Sequence, residues 1–590
     1  MTDSLDPPKN SPRDSVEDAL TIPIPASEQL VLDDARRLTG PGMLWNYPGA
    51  VLDISYEMLD PQQIITIWNG YARRILDAVG WGSEQIVNRR FAGGLNLAIS
   101  APMDQLYSAI FVAQTAWHFS AAEILDQPSG NFETMIGNLK TVMAREANPK
   151  LVALIAAADM HKIDILCDDD EISLGHGKGS KTWPIDELPG PKMVDWDGLY
   201  NIPVALITGT NGKTTTTRLC AAIAKAAGKI AGLTSTDFVR VGDDILDHGD
   251  YSGPGGARML LRDERLEMAY LEVARGGILR RGLPVRQATA ALVTNVAADH
   301  LGEYGVNTVK DLAVAKFAVH RTLAHNGVLV LNADDKYVVA QAEQTPSKIC
   351  WFSLNPKSEK IIQAKRHAHA CAWFDGRALV YFDGKNTNTM INVADIPITM
   401  KGAAHYNIRN ALGALCLSRA MGLGNDAIII GLSSFKNNPQ DNPGRCNEFE
   451  INGARVFVDF AHNPHSISAV TQALESVVSA RTFVMVSHAG DRSDEDIRAV
   501  TESVFKLNPD VVVAAEVVEY LRGRALGEVC ALTMDVCVQK GLAKSDIMFA
   551  TSPANGVAYI LRKLQPGDMA LLLVLSERER IFKLLSKKNW

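Results

Sequence analysis

The chain is poor in cysteine and has no pair at C-x-x-C spacing. Eight cysteines are scattered through 590 residues, among them Cys167, Cys220, Cys350 and Cys446. This excludes a paired-cysteine zinc site or a disulfide framework and fits reduced thiols. No apolar run approaches the roughly 18 residues of a transmembrane helix. Met1 to Gln29 is rich in Asp, Pro and Ser and lacks the basic-then-apolar layout of a leader peptide, so a flexible tail is expected there. An excess of positive charge is missing too. The net charge is -8 and the pI about 5.9, which argues against nucleic acid as a partner. No membrane partner is expected, and the expected location is the cytoplasm. Beyond residue 29 there is neither an internal repeat nor a low-complexity run.

The chain is too long for one core. From Leu30 to Trp196 short strands alternate with helices; Val51–Tyr56 reads as a strand, and Pro61–Val79 and Asp104–Leu125 as amphipathic helices. Pro184 to Gly198 is a Pro/Gly/Asp-rich connector. From about 200 to 438, short apolar strands such as Val204–Ile207, Ala269–Glu272, Ala290–Thr294 and Gly327–Leu331 alternate with helices, which predicts a parallel α/β sheet. Asn437 to Gly444, with Pro439 and Pro443, reads as a hinge. A third α/β block follows, with strands expected at Val456–Phe460, Phe483–Ser487, Val511–Ala515 and Met569–Val574. The expected layout is a tail at 1–29, an N-terminal α/β domain at 30–196, a central P-loop parallel-sheet domain at 197–438, and a C-terminal Rossmann-like α/β domain at 439–590.

The richest stretch is Thr208-Gly209-Thr210-Asn211-Gly212-Lys213-Thr214-Thr215-Thr216, directly after the apolar Val204–Ile207 and before an amphipathic segment. A strand, a glycine turn with Gly-Lys-Thr and a helix make a phosphate cradle: backbone N–H groups and the helix N-terminus face the anion, Lys213 adds charge, and Thr214 can offer its hydroxyl to Mg²⁺. The glycines are three apart, closer than in the general P-loop. Glu272 ends its strand where ligands of open α/β sheets sit and is a natural Mg²⁺ ligand. The next strand runs into Thr294-Asn295-Val296-Ala297-Ala298-Asp299-His300, and His300 could bind a second metal or position a phosphate. Lys316, within Ala-Val-Ala-Lys-Phe-Ala-Val, reads by itself as a surface lysine on a helix.

These motifs resemble the Mur ligase superfamily, which joins an amino group to a carboxylate with ATP. The likeness runs from about 200 to the end and adds Asn407-x-x-Asn410, Asn442-Pro443-Gly444-Arg445 and Asp459-Phe460-Ala461-His462-Asn463-Pro464. Four stretches are similar to the cyanophycin synthetase branch: Ser252–Pro254 with Ala257–Met259, Glu272–Leu283, Gly490–Ile497 and Leu521–Val529. Arg36–Pro41 with Trp45, and Leu174–Gly179, resemble parts of the same branch more weakly. There a whole ATP-grasp domain follows the position of Trp183; here about a dozen residues lead to the P-loop block. A metal-dependent hydrolytic site found in some relatives needs paired histidines; the comparable helix offers only His118 and Glu123.

The resemblance implies an ATP-dependent amide ligase acting through an acyl phosphate on an amino acid and a carboxylate. Gly209 to Thr215 would hold ATP phosphates. Thr214 and Glu272 would hold one of two Mg²⁺ ions, and His300 with a carbamylated Lys316 the other. Asn407 and Asn410 would lie near adenine. Arg445 and Asp459 would reach ATP from the C-terminal domain. His462, His465, Asp491 and Arg492 would face the amine. A separate ATP-grasp ligase is an implied partner, and a homo-oligomer is expected. The alternatives are a catalytically silent partner of such a ligase and a P-loop ATPase or kinase of another kind.

Overall fold

The computed structural model describes residues 14–587. The chain packs as two compact units. One holds the chain through Thr217, Gly228–Cys350 and Leu417–Gly422; the other holds Arg218–Ala227, Trp351–Cys416 and the chain from Leu423. The sequence layout instead cuts at 196/197 and 438/439.

In the first unit, β1 (Leu30–Leu38), β2 (Gly49–Tyr56), β3 (Ile86–Phe91) and β4 (Gly94–Ser100) form an antiparallel sheet of order β1-β2-β4-β3. Every residue of β4 is buried. The helix Pro61–Val79 starts at Asp60, whose carboxylate accepts from the Gln62 N–H, and stops at Gly80 in the left-handed region. The helix Leu106–Ile124 is apolar on nearly all sides and sits buried. Residues 14–29 depart from the flexible tail expected of them. Val16 is buried, and Ala19, Leu20, Ile22 and Ile24 pack against the core of this sheet domain, because these apolar side chains outweigh the polar composition around them. The first 13 residues of that tail lie outside the described ones.

A second small antiparallel sheet has β5 (Ile165–Cys167), β6 (Glu171–Leu174) and β7 (Lys181–Pro184). The glycines of Leu174–Gly179 are there for close packing. A β-carbon on Gly177 would lie 2.5 Å from the Leu266 carbonyl oxygen, and one on Gly179 2.4 Å from that of Tyr200.

The larger sheet of this unit runs β11 (Asp244–His248), β10 (Phe238–Val241), β9 (Ala231–Thr234), β12 (Met268–Glu272), β8 (Val204–Thr208), β13 (Ala288–Val293), β14 (Leu323–Asn332). From β9 to β14 neighbours are parallel, with β10 and β11 as an antiparallel edge. Central strands are apolar on both faces, as a covered parallel sheet requires. Register sets the site: Glu272 lies opposite Ile207, and Val293 opposite Thr208, so three strands end together.

In the second unit, Trp351–Ser353 at the end of β15 (Lys348–Ser353) pair parallel with β16 (Cys371–Phe374), followed by antiparallel β17 (Ala378–Phe382) and β18 (Thr387–Asn392). This departs from the all-parallel block expected to 438. Met400 and Tyr406 pack against the apolar core of the C-terminal sheet, which helps group residues 351–416 with it. That sheet has β19 (Asn447–Ile451), β20 (Ala454–Asp459), β21 (Thr482–Ser487), β22 (Val511–Ala515), β23 (Ile547–Ala550) and β24 (Met569–Leu573) in the order β19-β20-β24-β21-β22-β23, parallel except for β19. No described helix is long and apolar enough to cross a membrane.

Candidate functional site

The turn from β8 into the helix Lys213–Ala226 is braced by the end of β13. Gly209 has φ +145, and a β-carbon there would fall 1.9 Å from the Thr294 hydroxyl oxygen, so only glycine fits. Gly212 has φ 83. The Asn211 N–H donates to the Asn295 side chain at 3.0 Å. The Asn211 carbonyl accepts from the Thr294 hydroxyl at 2.7 Å and from the Asn295 amide at 2.9 Å. Thr210 is tied to Ala297 in both directions, its hydroxyl donating to the carbonyl at 3.1 Å and accepting from the N–H at 3.0 Å. Asp335 accepts from the Val296 N–H at 2.7 Å. Sequence reasoning assigned no role to Thr294, Asn295 or Asp335; the Thr-Asn directly after an apolar strand was the available signal.

The loop is therefore preorganised from one side, with the Thr210 and Asn211 N–H groups both taken by Asn295, and it leads into a helix N-terminus, an end that favours an anion. Thr214 and Thr215 are the second and third residues of that helix and are buried. Lys213 folds back over the turn, its ammonium donating to the Thr210 carbonyl at 3.0 Å; it has no carboxylate partner among the described residues. Glu272 is buried at the end of β12. His300 is exposed, with φ 49, and its carbonyl accepts from Arg275.

Lys316 corrects its surface reading. It lies near the end of the helix Val309–Phe317 with only 3% of its surface exposed, and Nζ donates to the Gly209 carbonyl at 2.8 Å. Burial, and then the charge of Lys213, hold this amine well below the usual lysine range against the pull of Asp299, with Arg275 adding the smallest share. Two lysines thus sit on successive carbonyls of one loop, and the buried one is driven toward its neutral form.

His118 is structural. One ring nitrogen lies 2.5 Å from the Pro23 carbonyl, and the other accepts from the Gly130 N–H at 2.9 Å. Glu123 accepts from the Tyr71 hydroxyl at 2.7 Å.

In the second unit, Asn407 donates to the Ile398 carbonyl at 2.7 Å and accepts from Asn410 at 3.0 Å; both are buried. The Arg445 guanidinium lies 4.7 Å from the centre of the Phe460 ring. Asp459, at the end of β20, is buried and accepts from the Ala461 N–H at 2.6 Å. Burial raises its carboxyl to about 6, against the pull of Arg445 and the backbone N–H groups of Ala461, Cys446 and Phe460. His462 has Nδ1 3.0 Å from the Phe460 carbonyl. Ten of the expected site residues thus lie in the first unit, seven of them consecutive from Gly209 to Thr215, and Asn407, Asn410, Arg445, Asp459, His462, His465, Asp491 and Arg492 lie in the second.

Residues 207–418 match the Mur ligase middle domain, and residues 444–573 the Mur ligase glutamate ligase domain. A cyanophycin synthetase of Crocosphaera subtropica is 36% identical over 388 residues, 66% of this chain and 44% of that protein. The chain thus spans less than half the length of this relative. The UDP-N-acetylmuramoyl-L-alanyl-D-glutamate--2,6-diaminopimelate ligase of Listeria innocua is 27% identical over 304 residues, 48% of this chain and 57% of that protein. Escherichia coli FolC, solved with DHPP and ADP, aligns over 65% of this chain and 88% of its own at 18% identity and TM-score 0.48.

Proposed function

Starting from a chain that carries the Mur ligase middle and glutamate ligase domains, we propose that it is an ATP-dependent ligase joining the amino group of an amino acid to a carboxylate. A carboxylate oxygen attacks the γ-phosphorus and ADP departs. The amine nitrogen then attacks the carbonyl carbon of the acyl phosphate, phosphate leaves, and the nitrogen loses a proton. Such chemistry asks a protein mainly for positioning and for neutralisation of developing charge.

In this reading Lys213, the turn Gly209 to Gly212 and the helix N-terminus at Thr214 and Thr215 hold the phosphates. Thr214 and Glu272 hold one Mg²⁺. His300 and the carbamate of Lys316 hold a second. Mg²⁺ at these residues supplies charge neutralisation on the phosphate oxygens. Asn407 and Asn410 face adenine, Arg445 and Asp459 complete the nucleotide site, and His462, His465, Asp491 and Arg492 receive the amine. The observation that carries the reading is Lys316, buried on the Gly209 carbonyl at 2.8 Å and driven toward a neutral amine. Only a neutral amine can add CO₂, and the resulting carbamate offers the oxygen donors a hard cation prefers.

The Crocosphaera subtropica relative is named for the synthesis of cyanophycin. Between Trp183 and Asn201 this chain has only three short turns, Ile185–Glu187, Pro191–Met193 and Trp196–Gly198, and no room for a second ligase domain. We therefore assign it a single ligation, adding one amino acid to a small carboxylate or working beside a separate ATP-grasp ligase. The test is phosphate release from ATP and Mg²⁺ with pairs of amino acids and acidic peptides. Lys213→Ala should lower turnover by about 10²-fold or more with the fold intact. Near-normal turnover in that variant removes this loop as the active site.

A further inference from the structure

The segment from His300 to Gly305 is held in an improbable shape. His300, Gly302, Tyr304 and Gly305 have φ of 49, 99, 54 and 70. Two of them carry a β-carbon, which disfavours the left-handed region, and such residues persist where their surroundings over-determine them. Inside the loop, the Gly302 N–H donates to Val306 and the Val306 N–H to Glu303, each at 3.0 Å. Arg275 binds the His300 carbonyl and the Glu303 carboxylate.

The remaining restraints come from the N-terminal sheet. Arg89 on β3 donates to the Gly305 carbonyl at 2.9 Å. The Arg36 guanidinium on β1 stacks 4.6 Å from the centre of the Tyr304 ring. The Phe91 ring fills the space beside Gly305, where a β-carbon would come within 2.4 Å of it. Asn307 donates to the Ala92 carbonyl at 3.0 Å.

Arg89 reaches further. Its second nitrogen donates to Asp311 at 2.7 Å. Asp311 closes the capping box with Thr308 at the start of the helix Val309–Phe317, which seats Lys316 on the phosphate loop. Behind Arg89 stands a ladder across the sheet, in which Asp53 lies directly opposite Asn96, and Asn96 opposite Arg89. Arg89 donates to Asn96 at 3.0 Å, Asn96 to Asp53 at 2.7 Å, and Arg36 to the other oxygen of Asp53. Arg36 Nε continues to the Leu279 carbonyl, at 2.9 Å, in the helix Arg275–Arg280. The ladder runs from one guanidinium through a neutral amide to a carboxylate and a second guanidinium, with a donor meeting an acceptor at each step, the condition under which a buried polar network rigidifies its surroundings.

We propose that Arg36, Asp53, Asn96 and Arg89 form a positioning ladder by which the N-terminal sheet sets the His300 loop and the seat of Lys316. The proposal rests on the ligase reading of the phosphate loop and gives the N-terminal sheet a part in it. It predicts that breaking the ladder acts on the metal-dependent share of nucleotide binding and on the backbone of residues 299–316.

The test uses the full chain with Arg89→Met, Arg89→Lys and Tyr304→Leu. Amide hydrogen exchange is followed by mass spectrometry, and ATP affinity is measured with Mg²⁺ and with EDTA. Arg89→Met should speed exchange in 299–316 by about tenfold and weaken ATP binding in Mg²⁺ by a similar factor, the scale of one lost charge-assisted contact. Binding in EDTA should be unchanged. Arg89→Lys, which retains a charge for Asp311, should recover most of both effects. Tyr304→Leu, a loop substitution that leaves the sheet intact, should speed exchange in 299–305 even if Arg89→Met does not fold. Unchanged exchange in 299–316, or equal affinity losses with and without Mg²⁺, overturns the proposal. A wild-type protein that binds no ATP overturns the ligase reading instead, and the exchange data still decide whether the ladder holds the loop.

Discussion

Replacing Asp459 by Asn should make the protein more stable at neutral pH and less active. The carboxyl is buried, and burial raises it from 3.8 to about 6. Near pH 7.5 it is ionised in the folded state at a cost of about 3 kcal/mol, from a shift of about two pH units. Asn removes the charge and keeps one oxygen for the Ala461 N–H. It loses an acceptor for the other backbone donors, worth about 1–1.5 kcal/mol. The net gain is about 1.5–2 kcal/mol, which for a unit of this size raises the Tm by roughly 3–8 °C. The pH dependence has a definite sign. The folded carboxyl holds its proton more tightly than the unfolded one, so folding takes up a proton between about 4 and 6. The wild type therefore loses stability as the pH rises through that window, and the advantage of Asn shrinks below pH 6 and reverses by pH 4, where the ionisation cost is nearly gone and the lost acceptor remains. Calorimetry of both proteins from pH 4 to 8 measures this, and ATP turnover should fall at least about tenfold in the variant. A lower Tm at pH 7.5, or a gain independent of pH, would refute the reasoning.

Lys316→Ala should abolish ligase turnover, and short carboxylates added to the assay should restore part of it by occupying the vacated space; full activity without additives would return Lys316 to a packing role. Gly209→Ala should weaken ATP binding by about tenfold or more, because the new β-carbon displaces the Thr294 hydroxyl and with it the 2.7 Å bond that latches the Asn211 carbonyl. Titration with a fluorescent ATP analogue reads this directly, and an unchanged Kd would mean that the loop adapts.

What could be read from the chain depended on how far apart the cooperating residues are. The strand, glycine turn and helix around Gly209 to Thr215 were legible because their apolar run, glycines, lysine and threonines are consecutive, and the strand ending on Glu272 because its residues are apolar. Lys316 was not. Its environment is set by a carbonyl 107 residues away, while its apolar neighbours fit both a snorkelling surface lysine and a buried one. Arg89 was further out of reach, since its carboxylate partner is 222 residues distant and nothing around it in the chain is unusual. The glycines of Leu174–Gly179 likewise have partners outside their own stretch. The close approach they permit is to Tyr200 and Leu266.

Asp459 and Lys316 join these cases, because one physical cause acts on both with opposite sign. Burial raises the acid and lowers the base, so each is pushed toward its neutral form. An ionisable residue adjoining an apolar stretch is the sequence signal common to the two. It becomes decisive only when the fold shows whether the side chain escapes to water, and here both side chains stay inside.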